Sequence, residues 1–312
     1  MIFWRSKENL TPPADASFAI SPFNPFSLNT LTAERSDRLP LGRSAGVISR
    51  TDLPNRENWK KMVQHALEEI KRGHLQKVVL ARETTLLLSE EPDPFALTAA
   101  LPSDGAALFC TKLPDGKALF GASPERLLRK SGRALQTEAL AATRKSRESL
   151  ANFLHSEKAL REFQFVETYC SETLSPFCEN APLFSPLSIH KTGNVEHLHT
   201  IGNAILAPSI TEYQVLQALH PTPALCGAPK KSALESILFH EPFHRGYYGG
   251  VIGWQNEESS DWMVIIRCCL LEKNIAKLYT GAGIIANSDP DEEWEELDAK
   301  LALYKNVFPC ML

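Results

Sequence analysis

The sequence predicts an α+β fold (α/β in the broad sense of a mixed fold), organised around mostly antiparallel sheet. Short apolar strands recur in hairpins and meanders, and helical patterns lie between the groups of strands. The 43% hydrophobic and 22% charged residues are typical of a globular protein with a substantial core. The formal net charge of −4 gives no basis for nucleic acid binding, which requires a clustered basic surface. No window approaches 18 apolar residues, so we expect no membrane-spanning helix.

Apolar periodicity and turn residues place each element along the chain. Residues 1–50 are rich in Pro, Ser and Asn and lack a sustained period, so we expect an irregular segment with at most a short strand or two. The following residues predict, in order, a helix over 57–72, a strand over 77–88, hairpins that turn at Asp115-Gly116 and Ser131-Gly132, a helix over 156–174, three strands within 247–285, and a last helix from Asp289-Pro290 to about Tyr304.

The cysteine pattern favours a reducing compartment. The seven cysteines include no C-x-x-C pair, and Cys268 and Cys269 are adjacent, so neither a disulfide framework nor a zinc site is predicted. The first residues lack the apolar run of a secretory signal. We therefore expect a cytoplasmic protein.

The segment QKVVLAR at 76–82 places Lys77 where a strand is about to be buried. One interpretation is an ordinary lysine at a strand end, which extends its ammonium into water. The other is a lysine held away from water, where burial favours the neutral amine and allows it to act as a base. The residues of this segment leave both interpretations open.

The segment GASPERLL at 121–128 raises a similar question for a carboxyl group. Glu125 follows a Gly-Ala-Ser-Pro turn and lies one residue before a pair of leucines. It is either a solvated carboxylate paired with Arg126 or Arg129, or a carboxyl group that apolar surroundings keep protonated. In the second case it could serve as a general acid.

The last helix carries a charged flank beside its apolar stripe. In DEEWEELDAKLALY, the charged residues Glu293, Glu296 and Lys300 follow the spacing of the core residues one position behind. Such a flank is usually solvated, but two carboxylates at i and i+3 can also hold Mg²⁺. Because the residues of one helix alone rarely coordinate Mg²⁺, a third carboxylate is expected elsewhere, and Glu162 in SEKALREF is the candidate.

Arg267 interrupts the apolar segment WMVIIRCCLL. Alternation along one strand would place it on a face with Met263, Ile265 and Cys269. A guanidinium there needs either an internal salt bridge or the carboxylate of a ligand. The segment TGAG at 280–283 could bring exposed backbone N–H groups to the same anion.

These segments together resemble a known family. KVVLAR, GASPERLL, TEALAATR, SEKALREF, LHPTPALCGAPK, EPFHRGYYGGVIGW, VIIRCCLL, GAGI and EEWEELDAKL occur in this order over residues 77–301. The set resembles the chorismate-utilising enzymes, and the isochorismate synthases in particular, over roughly the C-terminal three quarters of the chain. The resemblance implies two mostly antiparallel sheets around a central cleft with helices outside. It also implies a chorismate-binding catalytic domain over 57–312 that follows a shortened, irregular segment over 1–56.

The resemblance further implies Mg²⁺-dependent chemistry on chorismate. Lys77 matches the family's water-activating base, and Glu125 matches its acid at the C4 hydroxyl of chorismate. Lys77 also separates members that add water from those that use ammonia, such as the anthranilate synthase large subunit, so no glutaminase subunit is expected. The implied metal ligands are Glu162, Glu293 and Glu296, and the implied residues around the substrate are Thr143, His197, Arg267, Gly281, Gly283 and Lys300.

Two departures from the family pattern affect these expectations. The family's ALAGT loop reads ALAAT, with Ala142 in place of a glycine, so we expect a crowded pocket or a backbone angle that alanine disfavours. The stretch before residue 57 is much shorter than the family's usual N-terminal region, so strands that normally complete one sheet are expected to be missing. Isochorismate synthase is the favoured function, and salicylate synthase and a non-catalytic chorismate-binding protein remain alternatives.

Overall fold

Two β-sheets face each other across a cleft, and helices cover their outer faces. The structure is a computed structural model that describes residues 1–8, 10–32, 34–36, 38–144, 149–192 and 195–309. Within these residues the strands form two nine-stranded sheets, accompanied by seven α-helices. The predicted α+β class and the mostly antiparallel pairing are confirmed.

The strands are short at both ends of the chain and longest around the cleft. In chain order they are β1 (Ile2–Arg5), β2 (Ser17–Ser21), β3 (Asn29–Thr30), β4 (Arg35–Ser36), β5 (Val47–Leu53), β6 (Lys77–Leu88), β7 (Ala107–Lys112), β8 (Ala118–Ser123), β9 (Arg126–Ser131), β10 (Ala134–Thr143), β11 (Leu183–Phe184), β12 (Ser188–Thr192), β13 (Val195–Ile205), β14 (Gly227–Ala228), β15 (Val251–Gln255), β16 (Ser259–Val264), β17 (Cys268–Glu272) and β18 (Ile275–Ile284).

Pairing divides these strands between two sheets. The first sheet has the order β14-β6-β18-β17-β8-β7-β1-β4, and β5 also pairs with β6. The second has the order β11-β13-β10-β9-β16-β15-β2-β3, and β12 also pairs with β13. Within the described part of the chain, only β1 and β4 pair in parallel. The predicted strand over 77–88 and both predicted hairpins are confirmed, since local turn signals specified them.

The helices begin where the sequence supplies capping side chains. They are α1 (Arg56–Lys71), α2 (Pro94–Ala99), α3 (Leu150–Leu154), α4 (Glu157–Leu174), α5 (Glu212–Leu219), α6 (Lys230–His240) and α7 (Pro290–Leu301). Asn55, Ser156 and Asp289 accept backbone N–H bonds at the starts of α1, α4 and α7. The three predicted helices are therefore confirmed. None of the helices in the described residues is long and apolar enough to cross a membrane.

The prediction of three strands within 247–285 is wrong, because the segment WMVIIRCCLL does not form one strand. Its first half is β16 of the second sheet, which pairs with β9, and its second half is β17 of the first sheet, which pairs with β8. Arg267 lies between them with a positive φ of 49°. It therefore does not share a strand face with Met263, Ile265 and Cys269. Pairing with distant strands, rather than local alternation, decides where this segment breaks.

Residues 1–56 are more regular than their composition indicates. In the first sheet β1 pairs with β7, and β5 pairs with β6, while β2 pairs with β15 in the second sheet. The prediction of an irregular segment is therefore wrong for these strands. They are too short to show a period, and strands far along the chain supply their partners. The predicted domain division at residue 56 stays a prediction.

Apolar packing fixes the sheets and the helices around the cleft. Phe109 of the first sheet and Met263 of the second belong to one buried cluster between the sheets. On the outer face of the first sheet, Trp59 of α1 and Trp294 of α7 pack edge to face with ring centroids 6.2 Å apart. Phe163 of α4 is buried against the second sheet. As a result, α4 and α7 are held at fixed positions beside the cleft.

Candidate active site

The cleft between the two sheets collects the predicted site residues. It encloses about 650 Å³ of space that no atom fills, part of it open to solvent. β6 and β18 contribute side chains from the first sheet, β10 and β13 from the second, and α4 and α7 add charged groups. Among the predicted residues, Lys77, Glu125, Thr143, Glu162, His197, Arg267, Gly281, Gly283, Glu296 and Lys300 line the cleft, and Glu293 does not.

Lys77 is buried, and its interpretation as an ordinary surface lysine is wrong. Its side chain is 1% exposed, and its Nζ lies 3.1 Å from Oε1 of Glu162 in α4. β6 begins at this residue and pairs with β14 on one side and β18 on the other. The backbone is therefore fixed on both sides, and the amine is directed into the cleft.

Glu125 lies where the chain passes from β8 in the first sheet to β9 in the second. It is buried, and the Thr222 hydroxyl lies 3.5 Å from its Oε1. Burial and the negative charge of Glu138 raise the pKa of Glu125 to about 7, although the charge of Lys77 opposes this shift. Arg126 forms ion pairs with other carboxylates. The interpretation of Glu125 as a solvated carboxylate is therefore wrong.

His197 and Arg267 form a buried hydrogen-bonded pair. Nδ1 of His197 lies 3.1 Å from the carbonyl oxygen of Ala142, so this nitrogen carries the proton and donates it. Nε2 then accepts a hydrogen bond from Nη2 of Arg267 at 3.3 Å. Burial and the charge of Arg267 lower the pKa of His197 well below its ordinary value. Nη1 of Arg267 has no partner among the described residues and is available to an anion in the cleft.

The two segments that pass between the sheets lie side by side. The backbone N–H of Val264 donates to the carbonyl oxygen of Glu125 at 3.0 Å. The Ser123 hydroxyl donates to the carbonyl oxygen of Val264 at 2.7 Å. Because each segment braces the other, Glu125 and Arg267 enter the cleft from neighbouring positions.

Helix α7 is tied to both walls of the cleft. Nζ of Lys300 donates to Oε1 of Glu296 at 2.6 Å and to the carbonyl oxygen of Gly281 at 2.7 Å. The Thr143 hydroxyl donates to the same Glu296 oxygen at 3.3 Å. Burial opposes ionisation of Glu296, but the charge and hydrogen bond of Lys300 outweigh it and lower its pKa. Glu296 is therefore an ionised carboxylate in the cleft.

Gly281 and Gly283 leave room for other side chains. A Cβ on Gly283 would lie 2.4 Å from Oε1 of Glu162 and 3.0 Å from Cε of Lys77. A Cβ on Gly281 would lie 2.6 Å from the hydroxyl oxygen of Tyr248. Any larger residue would displace these groups from the cleft. Binding of a substrate carboxylate by the two glycines stays a prediction.

The predicted metal ligands surround Lys158. Its Nζ lies 2.7 Å from Oε1 of Glu293, and its charge also interacts with Glu162 and Glu296. Burial and the neighbouring Glu296 raise the pKa of Glu293 to about 7. Among the described residues, no three acidic, His or Cys side chains are grouped closely enough to hold a metal ion. The two carboxylates that line the cleft, Glu162 and Glu296, offer the kind of oxygen ligand that Mg²⁺ commonly takes, one or two carboxylates together with ligand oxygens, and the metal site stays a prediction.

Comparison with known proteins agrees with this geometry. Residues 26–307 match the family described as chorismate binding enzyme. The chain belongs to this family. It is 36% identical over 270 residues to isochorismate synthase 2, chloroplastic, of Arabidopsis thaliana, and the match covers 83% of the chain and 48% of the plant protein. The chain thus spans about half the length of the plant relatives that it matches.

Solved structures of chorismate-binding enzymes share the fold. A structure from Bacillus anthracis, described as a putative 2,3-dihydroxybenzoate-specific isochorismate synthase, matches with a TM-score of 0.84 and 30% identity, over 93% of this chain and 83% of that one. The menaquinone-specific isochorismate synthase of Escherichia coli matches with a TM-score of 0.86 over 98% of this chain and 87% of that one. Its 24% identity supports the fold alone. The two-sheet architecture implied by the sequence resemblance is confirmed.

Ala142 has a strained backbone conformation at the edge of the cleft. Its φ is 58°, and the register of β10 against β13 shifts at this residue. The left-handed conformation points the carbonyl of Ala142 at Nδ1 of His197. A residue with a Cβ is disfavoured there by roughly 1–2 kcal/mol. The predicted unfavourable backbone angle is confirmed.

Ala142→Gly is expected to increase stability by about 1 kcal/mol, because glycine adopts a positive φ without steric cost. Chemical denaturation of both proteins measures the difference. The matched control is Ala141→Gly, at the next residue, whose φ is not positive. There the added backbone freedom is expected to lower stability by about 0.5–1 kcal/mol. Equal losses in the two variants would show that the backbone at Ala142 is not strained.

The site also contains residues that the sequence did not predict, among them Lys158, Thr222 and Tyr248. Tyr248 lines the cleft and stacks on Tyr279 with ring centroids 5.3 Å apart. Thr222 contacts Glu125, and Lys158 pairs with an acidic residue of α7. All three lie inside segments that carried the family resemblance, so a residue-by-residue search of those segments could have found them.

Proposed function

We propose that the protein is a Mg²⁺-dependent isochorismate synthase, which isomerises chorismate to isochorismate. The observation that carries the proposal is one cleft that holds a buried amine and a buried carboxyl group, Lys77 and Glu125. Beside them lies Nη1 of Arg267, which has no hydrogen-bond partner in the part of the chain that the structure describes. The names of the plant and bacterial relatives, which are isochorismate synthases, support the same activity.

The reaction adds one water and removes another. Lys77 accepts a proton from the water that attacks C2 of chorismate, and Glu125 gives a proton to the C4 hydroxyl, which departs as water while the double bonds shift. The number of atoms in the substrate is unchanged, and no redox step occurs. A base and an acid can work together near neutral pH only when their surroundings favour opposite protonation states. The burial of Glu125 supplies that condition for the acid.

Arg267 is proposed to hold a carboxylate of chorismate. Its buried guanidinium has one nitrogen occupied by His197 and another, Nη1, that no described residue contacts by a hydrogen bond. A planar guanidinium suits a carboxylate because both are flat and can form charge-assisted hydrogen bonds. His197 is neutral, so it fixes the orientation of Arg267 without a second buried positive charge.

Glu162 and Glu296 are proposed to hold Mg²⁺ at the end of the cleft near α4 and α7. When bound, the ion would neutralise the substrate carboxylate and help to orient it. The two helices supply these carboxylates from positions far apart in the sequence. Glu293, which is paired with Lys158 outside the cleft lining, would join them only after a change of side-chain conformation.

Incubation of the purified protein with chorismate and Mg²⁺, followed by chromatographic identification of the product, tests the proposal. Isochorismate as the final product is expected. Salicylate with pyruvate would instead identify a salicylate synthase. Tight chorismate binding without turnover would identify a non-catalytic binding protein. Omission of Mg²⁺ is expected to abolish product formation.

Mg²⁺ and chorismate are expected to bind cooperatively. The carboxylates in the cleft repel a second anion unless a cation lies between them, so each ligand should tighten the other by the same factor. Calorimetric titration of Mg²⁺ with and without chorismate measures this factor. Glu296→Ala is expected to weaken the binding of both ligands.

Glu295→Ala serves as the control for that titration, because Glu295 lies on the same helix but is exposed. Its affinities for Mg²⁺ and chorismate are expected to equal those of the unmodified protein. The same Mg²⁺ affinity with and without chorismate would rule out a shared site and leave α7 as a charged surface.

The compartment and the partners remain proposals as well. A cytoplasmic location is supported by the six cysteines of the described residues, all of which are free thiols. Use of water rather than ammonia, proposed from Lys77, is consistent with activity without a glutaminase subunit.

A further inference from the structure

The three carboxylates implied as metal ligands are each paired with a different lysine. The pairs, with the distance from Nζ to Oε1, are Lys77 with Glu162 at 3.1 Å, Lys158 with Glu293 at 2.7 Å and Lys300 with Glu296 at 2.6 Å. The carboxylates come from α4 and α7, and the lysines come from β6, α4 and α7. Because an ammonium group and Mg²⁺ bind the same carboxylate oxygens, a metal ion would compete here with lysines of the protein itself.

The three lysines differ in how firmly they are held. The side chain of Lys77 is 1% exposed, and its strand is paired on both sides. Nζ of Lys300 donates to the carbonyl oxygen of Gly281 as well as to Glu296. The side chain of Lys158 is 29% exposed, and within the described part of the chain its ammonium forms one ion pair. Lys158 is therefore the least restrained of the three.

Lys158 is held at its position by the carboxylates around it. It is the second residue of α4, where the positive end of the helix dipole disfavours a cation. Glu162 follows four residues later and lies on the same face of the helix. Glu293 reaches Lys158 from α7, and the charge of Lys158 also interacts with Glu296. Lys158 thus neutralises part of the negative charge that the two helices bring together.

We propose that Lys158 is an internal counter-ion that gives up Glu293 when Mg²⁺ binds, so that this lysine sets the affinity of the protein for the metal. The inference rests on the metal site of the proposed function. A divalent ion brings two positive charges to the carboxylates in exchange for one. The released ammonium is already partly exposed, so it can extend into water without moving the helix. Glu293 is then free to join Glu162 and Glu296.

Calorimetric titration of Mg²⁺ alone tests the competition. The titrations are run at pH 8.5, above the pKa of about 7 of Glu293. Lys158→Met is expected to bind Mg²⁺ about tenfold more tightly than the unmodified protein, because no ion pair has to be broken and one positive charge is removed. By linkage, a fixed concentration of Mg²⁺ is expected to raise the thermal midpoint of unfolding more in Lys158→Met.

Lys60→Met is the matched control for the change of charge. Nζ of Lys60, in α1, lies 2.8 Å from Oδ2 of Asp291, which is two residues before Glu293 in α7. The variant therefore removes a lysine that pairs with the same helix, but neither residue of this pair lines the cleft. Its affinity for Mg²⁺ is expected to equal that of the unmodified protein.

Chemical labelling of the unmodified protein tests whether Lys158 is released. Acetylation of each lysine by acetic anhydride is followed by mass spectrometry with and without Mg²⁺ at equal ionic strength. The rate at Lys158 is expected to rise several-fold with Mg²⁺, because the amine leaves its ion pair. Lys61, which pairs with Glu57 on the exposed side of α1, is the internal control, and its rate is expected to stay constant.

The results separate release of the lysine from a general effect of charge. Tighter binding of Mg²⁺ by Lys158→Met with an unchanged labelling rate at Lys158 would overturn the inference, as would unchanged or weaker binding. If Lys158→Met fails to fold, the labelling rate alone decides. Absence of Mg²⁺ binding in every protein would reject both the inference and the metal site. Release of Lys158 without any conversion of chorismate would uphold the inference and reject the proposed activity instead.

Discussion

Lys77→Met is expected to reduce the proposed addition of water to chorismate by about 10²–10⁴-fold, the usual contribution of a general base. Lys77 is buried against Glu162, so alanine would leave a cavity at the start of β6, whereas methionine keeps most of the volume of the side chain. Without the amine, no group at this position can accept the proton of the attacking water. The measurement is the rate of isochorismate formation at saturating chorismate and Mg²⁺, together with the thermal midpoint of unfolding.

Lys277→Met provides the matched control. Lys277 also lies on a strand of the first sheet and also pairs with a glutamate, with its Nζ 3.1 Å from Oε1 of Glu83. It does not line the cleft. Turnover of this variant is expected to equal that of the unmodified protein. If Lys77→Met keeps turnover within a few-fold while its fold is intact, another group is the base.

Local patterns in the sequence predicted the elements that carry the site. Apolar runs bounded by turn residues specified β6 and the hairpins, and the spacing of apolar residues with their caps specified α4 and α7. Each of these signals comes from neighbouring residues within one segment, so it can be recognised in the sequence without knowledge of the tertiary structure. The proposed roles of Lys77 and Glu125 did not follow from such patterns. They followed from the family resemblance, because burial depends on neighbours that lie far away in the chain.

Positions where the chain changes sheet could not be predicted. The apolar run that contains Arg267 has the pattern of one strand, yet its two halves pair with β9 and β8 in different sheets. Glu125 lies at the neighbouring change, between those same two strands. The carboxyl group and the guanidinium reach the cleft because the chain leaves one sheet for the other there. Pairing partners more than a hundred residues away decide this, and periodicity does not reveal them.

The partners in ion pairs could not be predicted from the sequence either. The sequence places Glu125 next to Arg126, and adjacency alone suggests that they pair. Successive residues at the start of a strand point to opposite sides, so Arg126 instead meets Glu138 and Asp261. The proposed acid is thereby not paired with its neighbour in the sequence, and burial together with the charge of Glu138 raises the pKa of Glu125 to about 7.

Glu125→Gln is expected to reduce turnover by about 10²–10⁴-fold with chorismate affinity nearly unchanged. Glutamine keeps the size of the side chain and a hydrogen-bond donor, but it cannot release a proton to the departing C4 hydroxyl. The measurement pairs steady-state turnover with calorimetric titration of chorismate. Glu125→Asp retains an acid at a greater distance and is expected to recover part of the lost turnover. A large loss of affinity with normal turnover would contradict the role of Glu125 as the acid.

The same variant tests the burial of Glu125 without reference to turnover. Its pKa is raised from an ordinary 4.5 to about 7 in the folded protein, so between these pH values the unfolded chain releases a proton that the folded protein retains. Stability of the unmodified protein therefore falls as pH rises through this window, by about 3 kcal/mol in total at 1.36 kcal/mol per unit. Glu125→Gln lacks the titrating group and is expected to lose that part of the pH dependence, which denaturation at pH 5 and pH 8 measures. If stability changed with pH in the same way in the two proteins, Glu125 would ionise as readily in the cleft as it does in water. The protonated acid required for loss of the C4 hydroxyl would then be absent.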